Sequence, residues 1–163
     1  MPNRLVFPGG AVDRADLTAA CAAPLSPQTR VRLERAANPR LAYGLAVAAA
    51  RELEEETGLS LGRPPALDGL DYLCRLITPP DSPIRFNARF LLVGAERVRG
   101  ILAGSGELEE LRYYRVAEAL ALDLANPTRR VIERLQEWLA MTPEQRSAEP
   151  GVPVLRSREW RFE

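Results

Sequence analysis

The stretch best suited to chemistry is a run of acidic side chains at the end of a predicted helix. Glu52, Glu54, Glu55 and Glu56 fall in the last two turns before Gly58, which marks the helix end. The helix dipole is negative there, so each acid costs on the order of 0.3–1 kcal/mol. Glu52, Glu55 and Glu56 share one helix face, and three such carboxylates are typical ligands of Mg²⁺. The alternative interpretation is a solvated acidic surface of an ordinary helix.

The absence of histidine narrows the chemistry further. It excludes Ser–His and Cys–His catalysis and any metal site with histidine ligands. A general base must then be a carboxylate, a tyrosine, a cysteine or a metal-bound water. This restriction suits a site built from glutamates and a divalent cation.

The composition is typical of a globular protein, and 163 residues fit a single domain over 1–163. The 22 basic residues balance the 22 acidic ones, so no net basic field indicates a nucleic-acid partner. No signal peptide or membrane-spanning run is visible. Cys21 and Cys74 are isolated and indicate a reducing compartment, so we expect a cytoplasmic protein without a membrane partner.

Apolar periodicity and turn residues predict the elements that would position these acids. The acidic run closes an Ala-rich helix over Pro39–Thr57, and a second long helix runs from Asn126 to about Ala140. The shorter predicted strands are Leu5–Phe7, Leu70–Thr78, Ile84–Val93 and Glu107–Val116, and the shorter predicted helices are Pro27–Ala37 and Val116–Leu122. The tail over 142–163 either forms a strand around Val152–Leu155 or stays mobile. This order predicts an α/β fold, an α/β/α sandwich with a mixed β-sheet.

The acidic run resembles the second half of the Nudix box, the sequence motif of the Nudix hydrolases. That half reads Arg-Glu-aliphatic-x-Glu-Glu-x-Gly-aliphatic, and Arg51 to Leu59 meet all seven specified positions. The family hydrolyses nucleoside diphosphates linked to another group. The family's first half is a glycine, five residues and a glutamate, placed seven residues before the arginine. Here that spacing falls on Ala37 and Tyr43, so the contiguous box fails.

The missing half lies further upstream. Phe7-Pro8-Gly9-Gly10 resembles the family's entry loop, and Gly10 is followed by five residues and then Asp16, with Asp in place of Glu. Between Asp16 and Arg51 lie 34 residues, so an insertion over 17–45 interrupts the box. An interrupted box resembles a subgroup linked to coenzyme A diphosphatase activity. The stretch from Phe7 to Asp16 also resembles the signature of coenzyme A-cleaving Nudix enzymes.

The family's usual first strand has no counterpart in the sequence. Nudix domains usually have a strand before the entry loop, and too few residues precede Phe7 to form it. We expect the fold to do without this strand, to receive it from another chain, or to lack it because the start of the sequence is misassigned.

The resemblance implies roles for the box residues. Glu55 and Glu56 would hold Mg²⁺ or Mn²⁺, with a backbone carbonyl of Gly9 as a further ligand. Glu52 would be a ligand through water or the general base, and Arg51 would orient the acids. The alternatives are a plain strand-ending turn at Gly9 and a surface salt bridge at Arg51. Asp16 is expected to orient the box helix or its arginine, or to cap a helix.

Substrate contacts are predicted on the strand Ile84–Val93. Arg85 and Arg89 alternate with Phe86 and Phe90, so the two arginines share a sheet face and could bind phosphate. An exposed arginine-bearing sheet face explains the pattern equally well. Nudix enzymes often use one more acid from later in the chain, and the candidates are Glu96, Glu107 and Glu110, between which the spacing does not choose.

The function implied by the resemblance is metal-dependent hydrolysis of a diphosphate bond in a small-molecule nucleotide. The favoured substrate is coenzyme A or acyl-CoA, cut to 3′,5′-ADP and (acyl-)phosphopantetheine. ADP-ribose, NADH or another nucleotide is the alternative within the enzyme class. The competing classes are a catalytically silent Nudix-fold binding module and an unrelated acidic helical protein. A homodimer is left open.

Overall fold

The structure is a computed structural model that describes residues 5–79, 85–104, 106 and 111–163. In chain order, the described helices are α1 (Pro27–Glu34), α2 (Pro39–Thr57), α3 (Val116–Leu120), α4 (Asn126–Ala140) and α5 (Pro143–Ser147), and the strands are β1 (Leu59–Ser60), β2 (Asp71–Ile77), β3 (Asn87–Leu92), β4 (Arg99–Gly100), β5 (Pro153–Arg156) and β6 (Glu159–Phe162). None of these helices combines the length and apolar composition needed to cross a membrane.

Helix α2 carries the acidic run and has the bounds that the sequence predicts. The Asn38 side chain caps its start by accepting the Leu41 N–H at 2.9 Å, and Pro39 occupies the first turn. The helix ends at Gly58, whose φ of 72° is left-handed and whose N–H donates to Glu54 O. A Cβ built on Gly58 would come within 2.7 Å of Ile101 O, so this position has no room for a side chain.

Contacts divide the chain into two compact units. The first comprises Met1–Phe7, Leu73–Phe90 and Tyr113–Glu163, and the second comprises Pro8–Tyr72 and Leu91–Arg112. The single domain over 1–163 stays a prediction. The box helix and the insertion both belong to the second unit, which therefore carries the acidic run.

The main sheet has four strands in the order β3–β2–β5–β6. Strands β2 and β5 pair in parallel, with Arg75 opposite Val154, whereas β5 and β6 are antiparallel. A separate two-stranded sheet pairs β1 with β4 in antiparallel register. The predicted α/β class with a mixed sheet is confirmed, as are helix α4 and the strand near Val152–Leu155.

Three predicted elements differ from the structure. Leu5–Phe7 forms no strand, because its side chains serve packing: Phe7 stacks edge-to-face on Phe90 at 5.6 Å, and Leu5 lies on the Ala119–Leu124–Ile132 cluster. Residues 111–115 are also not a strand, and Tyr114 packs on the same cluster, while Glu107 to Glu110 lie outside the described residues. Helix α1 ends at Glu34 rather than Ala37.

The insertion over 17–45 is an integral part of the second unit. Thr29 and Leu33 on α1 are each 1% exposed, so the short helix has a buried side. The Ala22 N–H donates to Pro65 O, and the Leu67 N–H donates to Ala23 O, each at 2.8 Å. The buried Thr29 hydroxyl donates to Leu70 O at 2.7 Å, which ties α1 to the start of β2.

We expect Thr29→Val to lower the free energy of unfolding by about 1–3 kcal/mol, because it leaves the buried Leu70 carbonyl without its donor. Urea unfolding at constant pH measures this loss. The matched control is Thr18→Val, the same change on an exposed side chain of the same insertion, with an expected effect within about 0.5 kcal/mol. Equal losses in both variants would contradict the anchoring of α1 at Leu70.

Candidate functional site

The guanidinium of Arg51 lies at the centre of the acidic residues. Its Nε donates to Asp16 Oδ1 at 3.1 Å, and its Nη2 donates to Asp16 Oδ2 at 3.1 Å and to Ala11 O at 3.0 Å. Its Nη1 donates to Glu52 Oε1 at 2.8 Å and to Glu55 Oε2 at 2.9 Å. An arginine has five N–H donors, and all five are used here. We call Arg51 with Asp16, Glu52 and Glu55 the Arg51 cluster.

Asp16 is the buried member of the cluster, with 2% exposure. Burial alone would raise the pKa of its carboxyl, but the hydrogen bonds from Arg51 and from the Asp13 N–H outweigh burial and lower that pKa below its usual value. The hydrogen bond that Arg51 donates to Asp16 is in turn the largest factor that raises the pKa of Arg51. The pair is therefore charged on both sides at neutral pH.

The structure brings the two separated halves of the motif together. Asp16 and Arg51 are separated by 34 intervening residues, yet they share two hydrogen bonds. The bidentate arrangement fixes the plane of the guanidinium, which sets where Nη1 holds Glu52 and Glu55. The orienting contact that the sequence suggested for Asp16 is present, rather than a helix cap.

The glycine pair lies against the same acidic face. The Gly9 N–H donates to Glu56 Oε2 at 2.9 Å. A Cβ built on Gly10 would overlap the carboxylate of Glu52, so a side chain at this position would displace that carboxylate. The sequence suggested the carbonyl of Gly9 as a ligand, whereas the contact that the structure contains is made by its N–H.

One oxygen of each glutamate is engaged and the other is open. Glu52 Oε2, Glu55 Oε1 and Glu56 Oε1 accept no hydrogen bond from any described residue. Across the described ranges, no three acidic or cysteine side chains are arranged as a ready-made cation site, since Arg51 occupies the space between the acids. The donors are nevertheless all oxygens, a set that fits Mg²⁺ or Mn²⁺ chemically.

Glu54 stands apart from the other acids of the run. Its carboxylate accepts the Arg63 Nε–H at 2.6 Å, on the segment that follows β1. The sequence pattern missed this pair, because Arg63 is nine residues downstream and the helix ends between them. Glu54 is therefore a natural control for charge effects in this helix.

The remaining predicted site residues are not members of the Arg51 cluster. Arg85 is exposed and makes no described interaction, and Arg89 donates to Asn87 O at 3.3 Å; both belong to the first unit. Glu96 is exposed in a 3₁₀ turn, Ala95–Arg97, of the second unit. Glu107 and Glu110 lie outside the described residues. The roles of these residues stay predictions.

Asp16→Asn should lower the free energy of unfolding at pH 7 by about 1–3 kcal/mol, since it removes a charged acceptor of Arg51. The folded-state pKa of Asp16 is lowered, so its stabilisation is complete above the ordinary value of 3.8 and is lost as the pH falls through the folded-state pKa. Urea unfolding from pH 7 to pH 3 should therefore show the gap between variant and wild type closing in acid.

The control for this prediction is Asp13→Asn, because the Asp13 side chain is 70% exposed and lies 3.8 Å from Arg51. Its expected effect is within about 0.5 kcal/mol at all pH values. A gap for Asp16→Asn that is unchanged in acid would contradict the role of its ionised carboxylate.

The comparisons with known proteins give one family. A NUDIX domain model matches residues 44–135, which is more than half of the 163-residue chain. No curated protein and no solved structure matches the chain. Nudix hydrolases generally act on substrates that contain a nucleoside diphosphate moiety, and they generally use divalent metals such as Mg²⁺ or Mn²⁺. The acidic run of α2 lies inside the matched region, and the chain belongs to the Nudix family.

Proposed function

We propose that the chain is a divalent-metal-dependent hydrolase that cleaves the diphosphate linkage of coenzyme A or acyl-CoA. The products would be 3′,5′-ADP and (acyl-)phosphopantetheine. The observation that supports the proposal most directly is the Arg51 cluster. Asp16 and Arg51 are hydrogen-bonded although the insertion separates them in sequence, and Arg51 in turn donates to the Glu52 carboxylate. The coenzyme A assignment rests on the resemblance of the stretch from Phe7 to Asp16 to that subgroup.

In this proposal the acidic face of α2 holds the cation. Glu55 and Glu56 supply carboxylate oxygens, and the Gly9 carbonyl is a further ligand. Glu55 Oε1 and Glu56 Oε1 accept no hydrogen bond from a described residue, so these two oxygens are available as metal ligands. A divalent cation bound there offsets negative charge on the diphosphate and lowers the pKa of a bound water.

Arg51 acts as a positioning residue. It holds Glu52 and Glu55 through one nitrogen, Nη1, and is itself held by the buried Asp16. Glu52 is 13% exposed in its side chain, and its Oε2 accepts no hydrogen bond from a described residue. It therefore has a free acceptor for the proton of an attacking water, which is the role of a general base; ligation through water is its alternative role.

The bond changes are those of a hydrolysis. The water oxygen bonds to one phosphorus, the bridging P–O bond on that phosphorus breaks, and the other phosphate leaves with the bridging oxygen. The proton lost by the water passes to Glu52. Removing the carboxylate that accepts this proton, or those that hold the cation, should therefore stop turnover.

Substrate binding and the wider setting belong to the same proposal. Arg85 and Arg89 are proposed to bind phosphate groups, and one of Glu96, Glu107 or Glu110 to supply a further acid. We also propose the α/β/α sandwich of the family for the whole chain. A cytoplasmic location agrees with the two free cysteines, Cys21 and Cys74. A homodimer stays open.

The test is hydrolysis in the presence of Mg²⁺ or Mn²⁺ across coenzyme A, acyl-CoA, ADP-ribose, NADH and nucleoside triphosphates. We expect turnover of coenzyme A, and a loss of at least about 100-fold in kcat for Glu55→Gln and Glu56→Gln. Glu54→Gln is the matched control, because it removes the same charge from the same helix at the residue paired with Arg63. It should keep kcat within about threefold of wild type.

The outcomes separate the site from the substrate. Turnover of ADP-ribose or NADH alone would keep the site and discard the coenzyme A assignment. An equal loss in Glu54→Gln and Glu56→Gln would contradict the roles given to the box acids. Absence of turnover on every substrate, from a chain shown to be folded, would favour the catalytically silent binding module.

A further inference from the structure

A groove of about 410 Å³ lies in the unit formed by Pro8–Tyr72 and Leu91–Arg112. Its volume falls within the range of roughly 300–1,000 Å³ that small-molecule sites occupy. None of the residues that line it belongs to the Arg51 cluster. The insertion contributes to it through Ala22.

The walls of the groove come from three segments that hydrogen bonds hold together. Its apolar lining is Leu61, which is 7% exposed, with Ala22, Pro64 and Ala66. The Ala22 N–H donates to Pro65 O at 2.8 Å, and the Ala66 N–H donates to Leu61 O at 2.9 Å. The third segment is fixed where β4 pairs with β1, with Arg99 opposite Ser60.

Two guanidinium groups line the third wall, at Arg97 and Arg99. Arg97 is held in place: its Nη2 lies 2.5 Å from Asp68 Oδ1, and a Cβ built on Gly69 would overlap its Nε. Arg99 is exposed, and its guanidinium makes no ion pair or hydrogen bond with any residue that the structure describes. One positioned and one open guanidinium beside an apolar surface are suited to an oxyanion.

Among the described residues that line the groove, Glu96 is the only acidic one. Its carboxylate folds back over Gly94, where a Cβ would overlap it. Asp68 is already paired with Arg97. Asp68 thus offsets the charge of Arg97, and Glu96 and Arg99 are the remaining charged side chains among the described residues that line the groove. Removal of Glu96 should therefore strengthen the attraction of Arg99 for an anion.

We propose that this groove is a second small-molecule site, which binds an oxyanion carried by a compact ligand with some apolar surface. Arg99 supplies the open donors and Arg97 the positioned ones, while Leu61 and Pro64 contact the apolar part. The oxyanion is a phosphoryl group or a carboxylate, which share this chemistry. Glu96 is also one of the three candidates for a further acid in the proposed hydrolysis. The residues proposed to bind the oxyanion, Arg97 and Arg99, have no role in that reaction, so the site does not depend on it.

The experiment is a titration of the ¹⁵N-labelled full chain with inorganic phosphate and, separately, with succinate. The backbone amides of Ala22, Gly62 and Gly69 report on the groove. We expect saturable shifts of these amides with at least one of the two probes. Arg99→Gln should weaken that binding about tenfold, because a charge-assisted hydrogen bond is lost. Glu96→Gln should tighten it about threefold.

The matched control is Arg40→Gln, which removes the same charge from an exposed arginine of α2 that makes no described interaction. It should leave the dissociation constant within about twofold. Saturation with phosphate alone identifies a phosphoryl ligand, with succinate alone a carboxylate, and with both a general oxyanion site. No saturable shift with either probe, or equal weakening by Arg99→Gln and Arg40→Gln, would overturn the proposal.

Discussion

The ion pair between Arg51 and the buried Asp16 is the interaction on which the acidic face depends. Three glutamates at the negative end of α2 repel one another and the helix dipole. Arg51 offsets this repulsion because its five N–H donors reach Asp16, Glu52, Glu55 and the Ala11 carbonyl. A buried carboxylate without a partner is strongly unfavourable, so Asp16 and Arg51 require each other. The positions of the Glu52 and Glu55 carboxylates follow from that pair, whereas Glu56 is held by the Gly9 N–H.

The insertion is compatible with this pair because it packs against its own unit. Lengthening a loop adds little closure entropy, since that cost grows only with the logarithm of loop length. The inserted residues then gain contacts of their own: Thr29 bonds Leu70, and Ala22 bonds Pro65. Asp16 and Arg51 can therefore meet across 34 residues. The same contacts create the groove beside Arg97 and Arg99.

Local signals in the sequence predicted much of the fold. The Asn38 cap, the alanines and Gly58 define α2, and Asn126-Pro127 with its apolar stripe defines α4, because these features act within a few residues. The prediction of a strand at Leu5–Phe7 was wrong, because no local feature of the sequence shows that the Phe7 ring packs on Phe90 and that its backbone stays unpaired in any described strand. Strand pairing depends on partners far along the chain, and short apolar runs do not identify them.

Part of the candidate site was likewise predictable from the sequence. The spacing of Glu52, Glu55 and Glu56 identified the shared face, and the Gly9-Gly10 pair identified the loop near it. The separation of Glu54, through Arg63, could not be predicted because the partner lies beyond the helix end. The sequence also did not show that all five N–H donors of Arg51 would be hydrogen-bonded, because this depends on the positions of the Ala11 carbonyl and Asp16 in the folded chain.

We propose that the acidic face of α2 is a cation site, with Arg51 holding two of its three glutamates. The most direct test is equilibrium binding of Mn²⁺ without substrate, followed by electron paramagnetic resonance of the free ion. We expect Glu56→Gln to weaken binding by at least about tenfold, whereas Glu54→Gln leaves it unchanged. Equal weakening by the two variants, or no saturable Mn²⁺ binding by the folded wild-type chain, would contradict it.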